Sequence, residues 1–349
     1  MRDYNYREKW QRLLTPDIVS KLTLINEFKG EQKLFVKVHK DELSELIESA
    51  KIQSTEASNK IDGICTTDDR VRNVIQAKAL LRNKDESEIA GYKDVLNTII
   101  NNFDYIPINA NYFLQLHSDL YKFIANADVG RFKTVDNYLS KKDSTGKEYV
   151  CFQTVPARKA SEAIDAMCIA YKEAKNKVDP LILSAMFVLD FLCVHPFDYG
   201  NGRMSRLITL LLLCQSGFIV GKFISIEKII EQSTESYYEA ICESSKRWHE
   251  NNNDYAPFVD YMLGVIIDAY RKFDERVKLV TNPELSKADR IREIIKNYKG
   301  TITKSELLEM NRDISDTTVQ RTLASLLKMH EIKKINGGRY TKYIWNEDI

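Results

Sequence analysis

The sequence predicts a mainly α-helical protein that contains one β-hairpin and ends in a small domain of three helices and a second hairpin. Only 13 glycines and 7 prolines interrupt its 349 residues, and long stretches place apolar residues at helical spacing. Residues 130–156 instead carry strand-forming residues on both sides of a polar turn. The pattern changes again after Pro283, where short helical segments precede two strand-like segments.

Residues 1–100 are predicted to be an N-terminal helical region. Residues 1–34 are polar with aromatic interruptions and only weakly periodic, and no element is predicted there. Residues 40–60 form an amphipathic helical pattern that stops at Gly63, a residue typical of helix ends. A second helix is predicted over 72–101.

Residues 101–280 are predicted to be a helical core that carries the hairpin. Helices are predicted at 109–125, 157–177, 180–194, 202–216, 226–232, 234–249 and 254–279. Aromatic and β-branched residues flank the polar turn of the hairpin, Lys141–Gly146. Because an isolated hairpin is marginally stable in water, we expect this one to lie on the helical core.

Residues 285–349 are predicted to be a winged-helix domain that follows a linker at Thr281–Pro283. The segments are helices at 285–297, 303–310 and 316–330, and strands at Ile332–Ile335 and Arg339–Trp345 around a turn at Asn336–Gly338. The domain has 13 Lys/Arg and 9 Asp/Glu, a local net charge of +4. This charge is compatible with DNA binding, but winged helices also serve as protein–protein modules, and the pattern leaves both open.

Composition excludes several classes of protein. A net charge of +1 argues against affinity of the whole chain for DNA or a membrane surface. None of the 6 cysteines forms a CxxC pair, so neither a zinc site nor a disulfide framework is indicated. Four of them lie in apolar or helical segments, where reduced, buried thiols are expected. The longest apolar run, Leu210–Cys214, is far too short to span a bilayer. We therefore expect a soluble, cytoplasmic protein without a membrane partner.

The stretch from 195 to 206, HPFDYGNGRMSR, places flexible and charged residues between the two most apolar helices. Pro196 disfavours helical backbone at His195, so the first helix is expected to end there. Gly200 and Gly202 permit left-handed backbone and close approach of another group. A helix N-terminus follows, and its unpaired N–H groups form a site for phosphate.

Charged and titratable side chains flank the predicted phosphate site. Arg203 and Arg206 are three residues apart on one face of the new helix, and guanidinium groups match phosphate oxygens. His195, across the loop, is a suitable base for a hydroxyl near neutral pH. The pattern predicts transfer of a phosphate-linked group, although a plain helix connector has similar spacing. A P-loop is excluded because GxxxxGK followed by Ser or Thr is absent.

The same residues resemble a family motif. HPFDYGNGRMSR is similar to the Fic motif, HPFx(D/E)GNGRxxR, at every defined position but one. The hairpin stands where Fic domains carry a target-docking flap, and Leu116-His117 and Gly130–Phe132 are also similar to Fic sequences. The resemblance covers residues 15–275 and implies an α-helical Fic fold that transfers AMP from ATP to a Ser, Thr or Tyr hydroxyl of a target protein.

The resemblance also implies residue roles. His195 would deprotonate the hydroxyl, Arg203 would hold phosphate, and Arg206 would reach the γ-phosphate. Gly200, Asn201 and Gly202 would form a cradle that binds the α- and β-phosphates. The target protein would dock on Asn137, Tyr138 and Leu139. Tyr237 and Tyr238 would lie beside the adenine. For the two tyrosines, ordinary packing between helices is an equal alternative.

Two positions depart from the family pattern. Tyr199 replaces the Asp/Glu that coordinates Mg²⁺ in the family, and Asp198, one residue early, is only a weak candidate for that role, so a Mg²⁺ requirement is in doubt. Upstream, Ser58–Gly63 is similar to the inhibitory (S/T)xxxE(G/N) motif, with Asp62 in place of Glu. Asp62 and Ser58 would then restrain Arg206, unless they form an ordinary helix end.

Three functions remain open from the sequence. The leading one is a self-inhibited protein adenylyltransferase that uses ATP. The second is a nucleotide-sensing transcription regulator with a degenerate Fic domain, and the third keeps the fold but removes AMP or transfers another phosphate-linked group. The sequence does not identify the target protein, and modification of the protein by itself stays open. Formation of a homodimer stays open as well.

Overall fold

The computed structural model describes most of the chain, with short gaps. The described residues are 2–38, 40–65, 67–75, 80–125, 129–142, 148–281, 286–298, 300–311, 313–335, 337 and 341–346. The predicted mainly α-helical fold with a small hairpin is confirmed. Within the described ranges, no helix is both long enough and apolar enough to cross a membrane.

The N-terminal region is more helical than its sequence pattern suggested. Its helices are α1 (Tyr6–Lys9), α2 (Pro16–Val38), α3 (Lys40–Ile61), α4 (Asp68–Ile75) and α5 (Lys84–Asn102). α2 was not predicted, because its apolar side chains follow a weak helical period and it is stabilised by packing on the last core helix. The single helix predicted over 72–101 is wrong: α5 starts separately, with Asn83 as its N-cap accepting from the Glu86 N–H at 2.9 Å.

The helical core surrounds two buried central helices. Its elements are α6 (Ala110–Leu120), β1 (Tyr138–Lys142), β2 (Glu148–Gln153), α7 (Ala160–Ala174), α8 (Pro180–Val194), α9 (Asn201–Gln215), α10 (Ile226–Gln232), α11 (Thr234–Ser245) and α12 (Ala256–Thr281). α8 begins with Asp179 as N-cap and Pro180 at the first helical position, a favourable start for a helix. Nearly every residue of α8 and α9 is buried, so the loop between them is held rigidly at the centre of the domain.

The hairpin lies on the core, as expected, and contains a β-bulge. β1 and β2 are antiparallel, with Leu139 opposite Phe152 and Ser140 opposite Val150, so Cys151 is the extra residue. Phe152 is buried and stacks on His249 with 5.0 Å between ring centroids. Most of the predicted turn, from residue 143 onward, lies outside the described residues.

The sequence indicated no disulfide, and this expectation is wrong for one pair. Cys151 of β2 and Cys242 of α11 form a disulfide, although 91 residues separate them in sequence. No sequence spacing indicates such a bridge, because only the tertiary packing of the hairpin on α11 brings the two residues together. Cys168, Cys193 and Cys214 are free and buried, as expected, and Cys65 is free and exposed.

The C-terminal region consists of three helices and a three-stranded antiparallel sheet. The elements are α13 (Lys287–Asn297), β3 (Ile302–Thr303), α14 (Lys304–Met310), α15 (Asp316–Lys328), β4 (Ile332–Ile335) and β5 (Lys342–Trp345). The strand order is β3-β5-β4, and the region has a hydrophobic cluster distinct from that of the core. The winged-helix assignment and the domain boundaries stay predictions, and residues 282–285, 336 and 338 of the predicted linker and turn lie outside the described residues.

Candidate functional site

The loop between α8 and α9 is the centre of the candidate site. α8 ends at Val194, where Pro196 was expected to end it, and His195 follows in left-handed backbone with φ 50°. Gly200, with φ 78°, caps α9. The first N–H of α9 to bond back is that of Met204, which donates to the Gly200 carbonyl at 2.9 Å. The preceding N–H groups are therefore directed out of the helix, where they can bind an anion.

His195 carries a neutral, oriented imidazole. Its Nδ1 lies 3.3 Å from the carbonyl oxygen of Leu192, and an N–H donated there leaves Nε2 as the acceptor. Burial, and then the ammonium group of Lys133, lower the pKa of His195 to about 4. The ring is therefore uncharged at neutral pH, and Nε2 can accept a proton from a hydroxyl.

Lys133, which no sequence pattern singled out, ties the base of the hairpin to the end of α8. Its ammonium donates to Asn137 Oδ1 at 2.7 Å, Thr154 Oγ1 at 2.9 Å and the Val194 carbonyl at 3.1 Å. Burial lowers the pKa of Lys133 to about 8. The residue thus connects the hairpin directly to the segment that positions His195.

Two side chains hold the loop in shape. Asn201 Oδ1 accepts from the Phe197 N–H at 2.9 Å, and its Nδ2 donates to the Phe197 carbonyl at 2.7 Å. The amide of Asn201 is thus used within the loop, so its predicted part in a phosphate cradle falls to its backbone N–H. His117 Nε2 donates to the Tyr199 carbonyl at 3.1 Å, while its Nδ1 accepts from the Gly130 N–H at 3.2 Å. Its ring stacks on Phe197 with centroids 3.9 Å apart.

Glycine is required at two positions of the loop. A Cβ on Gly200 would lie 2.3 Å from the Tyr121 hydroxyl, and its backbone is left-handed. A Cβ on Gly202 would lie 3.1 Å from Asp62 Oδ1 and 3.3 Å from Arg206 Nη1. Both glycines therefore allow close approach of neighbouring groups, as their spacing in the sequence suggested.

Arg203 is buried among side chains that the sequence did not identify. Its Nη2 donates to Glu88 Oε2 and to the Tyr121 hydroxyl, each at 2.5 Å, and Nη1 donates to Asn59 Oδ1 at 3.3 Å. These partners come from α5, α3 and the end of α6, so only the fold assembles them. They orient the guanidinium beside the start of α9, and its role in holding phosphate stays a prediction.

Arg206 is held by α3. Its Nε donates to Ser58 Oγ at 2.8 Å, and its Nη2 donates to the Ser58 carbonyl at 2.8 Å and to Asp62 Oδ1 at 2.9 Å. Arg206 Nη1 is buried and lacks a hydrogen-bond partner in the described structure. The predicted group of Ser58, Asp62 and Arg206 therefore does come together, and α3 covers the guanidinium.

Tyr237 and Tyr238 of α11 lie beside this ion pair. Their ring centroids are 5.4 Å apart, Tyr237 is fully buried, and both phenols are close enough to interact electrostatically with Arg206 and Asp62. Burial is the main reason that the pKa of each phenol is raised. Their packing agrees with both readings of the sequence, a nucleotide contact and a helix interface.

The predicted target-docking residues do not share one environment. The side chain of Asn137 is used at the base of the hairpin, where it accepts from Lys133 and donates to the Phe197 carbonyl at 3.0 Å. Tyr138 is 52% exposed and Leu139 packs partly on the core. The residues able to face a partner are therefore those of β1 beyond Asn137.

Asp198 is directed at the hairpin. Its Oδ1 accepts from the backbone N–H of Thr134 at 3.0 Å and of Val135 at 3.5 Å. Tyr199, at the position of the family's metal ligand, presents an uncharged phenol, and its ring stands edge-on to Tyr121. No group of three potential metal-ligating side chains occurs among the described residues. The Asp198 carboxylate therefore positions the chain that leads into the hairpin, and its part in binding Mg²⁺ stays a prediction.

Comparison with known proteins agrees with this geometry. The Fic/DOC family profile matches residues 107–213, and the chain carries a Fic domain. One similar protein, "Protein adenylyltransferase Fic" of Nematostella vectensis, is 24% identical over 241 residues, which cover 64% of this chain and 49% of that protein. "Protein adenylyltransferase fic-1" of Caenorhabditis elegans is 26% identical over 148 residues, covering 42% of this chain and 27% of that protein. The chain thus spans half or less of these relatives.

Solved structures show the same fold. A Fic family protein from Desulfovibrio desulfuricans G20 superposes on this chain with a TM-score of 0.63 at 20% identity. The aligned region covers 96% of this chain and 97% of that protein. A Fic domain containing signaling protein from Bacteroides thetaiotaomicron gives a TM-score of 0.62 at 18% identity, over 74% of this chain and 96% of its own. At these identities the likeness is one of fold alone.

Proposed function

We propose that this Fic-domain protein is an adenylyltransferase that moves AMP from ATP to a protein hydroxyl and is restrained by its own helix α3. The observation that carries the proposal is the oriented imidazole of His195, whose Nε2 is free to accept a proton beside the N-terminus of α9. A base next to an anion site is the arrangement that transfer of a phosphate-linked group requires. The similarity of this chain to proteins named protein adenylyltransferase supports AMP as the transferred group.

In the proposed reaction, His195 Nε2 takes the proton of the target hydroxyl as its oxygen attacks the α-phosphorus of ATP. The new P–O bond forms while the bond to the bridging oxygen of the β-phosphate breaks, and pyrophosphate leaves. The N–H groups of residues 200–202 and the guanidinium of Arg203 stabilise the charge on the phosphates. No step is assigned to a metal ion.

The restraint follows from the contacts of Arg206. A γ-phosphate would need this guanidinium, yet Asp62 and Ser58 use three of its hydrogen bonds. ATP can engage Arg206 through all its donors only after α3 has moved, because Ser58 and Asp62 at the end of α3 occupy Nε and Nη2. We infer that the described arrangement is the restrained state.

Labelling with ATP radiolabelled on its α-phosphate tests the proposal. We expect the Asp62→Gly variant to label itself or a target protein in a lysate, and the label to disappear when His195→Ala is added. His330→Asn, a change at an exposed histidine far from the loop in sequence, is the matched control and should retain the label. ATP labelled on its γ-phosphate should transfer nothing, and γ-label transfer would instead support the alternative of another phosphate-linked group.

DNA binding by the C-terminal region is the second candidate function. The exposed side chains of α15 are uncharged or basic after its first residue, and they include Gln320, Arg321 and Lys328. Such a face is suited to the major groove, whose phosphates attract the basic groups. Binding of duplex DNA should weaken steeply with salt and decrease in Arg321→Ala, whereas salt-independent or absent binding would contradict this role.

A further inference from the structure

The hairpin is fixed firmly at its base. Lys133 connects Asn137 and Thr154 to the end of α8, and the Val155 N–H donates to the Cys193 carbonyl at 3.2 Å. Farther along β2 the side chains of Tyr149 and Val150 are 42% and 55% exposed. The exposed part of the hairpin therefore begins close to Cys151.

The β-bulge directs Cys151 away from the regular alternation of the strand. Phe152, the next residue, is buried and contacts His249 and Trp248, so the strand packs on the helical core at this position. Because the bulge leaves Cys151 without a partner on β1, its side chain is free to turn towards α11.

The two cysteines are well placed for reversible chemistry. Their Cα atoms are 5.6 Å apart, within the range of about 4.4–6.8 Å that disulfides require. Both residues are half-buried, so a small thiol or disulfide can reach them. The buried Cys168, Cys193 and Cys214 lack that access.

Cys242 also connects the hairpin to the candidate site. It follows Tyr238 by four residues on α11, so the two side chains share one face of the helix. Tyr238 in turn lies beside the pair of Asp62 and Arg206. A covalent bond between Cys151 and Cys242 therefore joins the exposed half of the hairpin to a helix that borders the site.

We propose that Cys151 and Cys242 form a reversible latch that fastens the hairpin in oxidising conditions and releases it in reducing conditions. The oxidant is a disulfide of low molecular mass. One cysteine thiolate attacks it to give a mixed disulfide and one free thiol, and the second cysteine then displaces the other thiol. Two protein thiols thus lose two electrons and two protons, and one small disulfide becomes two thiols.

The consequence for activity rests on the function proposed above. A target that adds a strand to β1 needs the edge of β1 to adjust to it, and the latch restricts that movement. We expect the oxidised protein to label target proteins more slowly than the reduced protein. ATP binding should differ little between the two states, because neither cysteine belongs to the loop at 195–202.

The latch itself is tested without any activity measurement. The full-length protein is equilibrated with oxidised or reduced glutathione, digested without reductant and analysed by mass spectrometry, and hydrogen exchange is followed over 138–142 and 148–153. We expect a linked Cys151–Cys242 peptide only in the oxidised sample, with amide exchange of the hairpin at least about tenfold slower there. Cys151→Ser should exchange like the reduced protein in both buffers.

Cys65→Ser is the matched control, since Cys65 is exposed and lies away from the hairpin in sequence. It should keep both the linked peptide and the difference in exchange. The latch is overturned if no linked peptide forms with oxidised glutathione, or if the hairpin exchanges equally fast in both states. A latch that forms while His195-dependent labelling is absent would instead count against the proposed function alone.

Discussion

Asp62 Oδ1 accepts a hydrogen bond from Arg206 Nη2 at 2.9 Å, although 144 residues separate the two in sequence. Arg206 is almost fully buried and Asp62 is 22% exposed at its side chain, so the carboxylate lies between the guanidinium and solvent. Asp62 is the residue after the last of α3, and the Gly63 N–H bonds back to the Lys60 carbonyl at 3.0 Å. The end of a helix thus holds the arginine of a distant loop, and the proposed restraint rests on this contact.

Removing this carboxylate should release Arg206. For Asp62→Gly we expect ATP to bind about tenfold more tightly, equivalent to about 1.4 kcal/mol, because the guanidinium no longer has to leave an ion pair. Asp62→Asn should show a smaller gain, since an amide oxygen still accepts one hydrogen bond without the charge. Calorimetric titration with ATP measures both changes, and equal affinity in all three proteins would exclude an inhibitory role for Asp62.

The pH dependence of labelling should report His195. Because burial lowers its pKa to about 4, the imidazole stays neutral as the pH decreases from neutral towards that value. We expect the labelling rate of Asp62→Gly to remain constant down to about pH 5 and to decrease only as the pH approaches the pKa of the base. A decrease centred near the ordinary histidine value of about 6.5 would show that His195 is not shielded as described.

His117 should make the fold sensitive to acid. Burial lowers its pKa to about 4, whereas an unfolded histidine titrates near 6.5. The unfolded chain therefore binds a proton first as the pH falls, and about 3 kcal/mol of stability, present above pH 6.5, is lost as the pH approaches 4. Unfolding midpoints followed against pH should show this loss, and His117→Gln should reduce it. His330→Asn, at an exposed position, should keep the slope of the unaltered protein.

Gly200→Ala should destabilise the loop strongly. The added methyl would lie 2.3 Å from the Tyr121 hydroxyl on a backbone with φ 78°, so both sterics and conformation oppose it. We expect a loss of about 2–4 kcal/mol in denaturant unfolding. Gly264→Ala is the contrasting change, since a Cβ there meets nothing within 4 Å in the middle of α12, and it should stabilise by up to about 1 kcal/mol. Equal effects from the two variants would contradict the close contact at Gly200.

Asp198 offers a test between metal binding and support of the hairpin. Because its carboxylate accepts from Thr134 and Val135, Asp198→Ala should speed amide exchange at 134–142 and slow target labelling by about tenfold. Asp198→Asn should recover part of the labelling, as it retains one acceptor oxygen. ATP affinity and its response to Mg²⁺ should not change. Tight, stoichiometric Mg²⁺ dependence of nucleotide binding that disappears in Asp198→Ala would identify Asp198 as a metal ligand.

Local chemistry explains where the sequence predicted structure well. α8 and α10 have the predicted bounds, because Pro196 prevents further helix at His195 and Ser225 caps Ile226. Gly63 and Gly200 adopt left-handed backbone, which glycine adopts easily, and Gly202 allows close approach of its neighbours. The motif from 195 to 206 placed His195, Arg203 and Arg206 at one loop because these residues are close together in sequence, and their roles stay predictions.

Contacts between distant segments were decided by the tertiary structure. Glu88 and Tyr121 reach Arg203 from two other helices, and Lys133 connects the hairpin to α8. Asp198, a weak metal candidate in the sequence, accepts from the hairpin instead, and two unremarkable cysteines form a bridge. A sequence pattern reports the backbone preferences and residue types of positions that are close together along the chain. Which charged groups share a buried space depends on how the helices pack, and that information exists only in the fold.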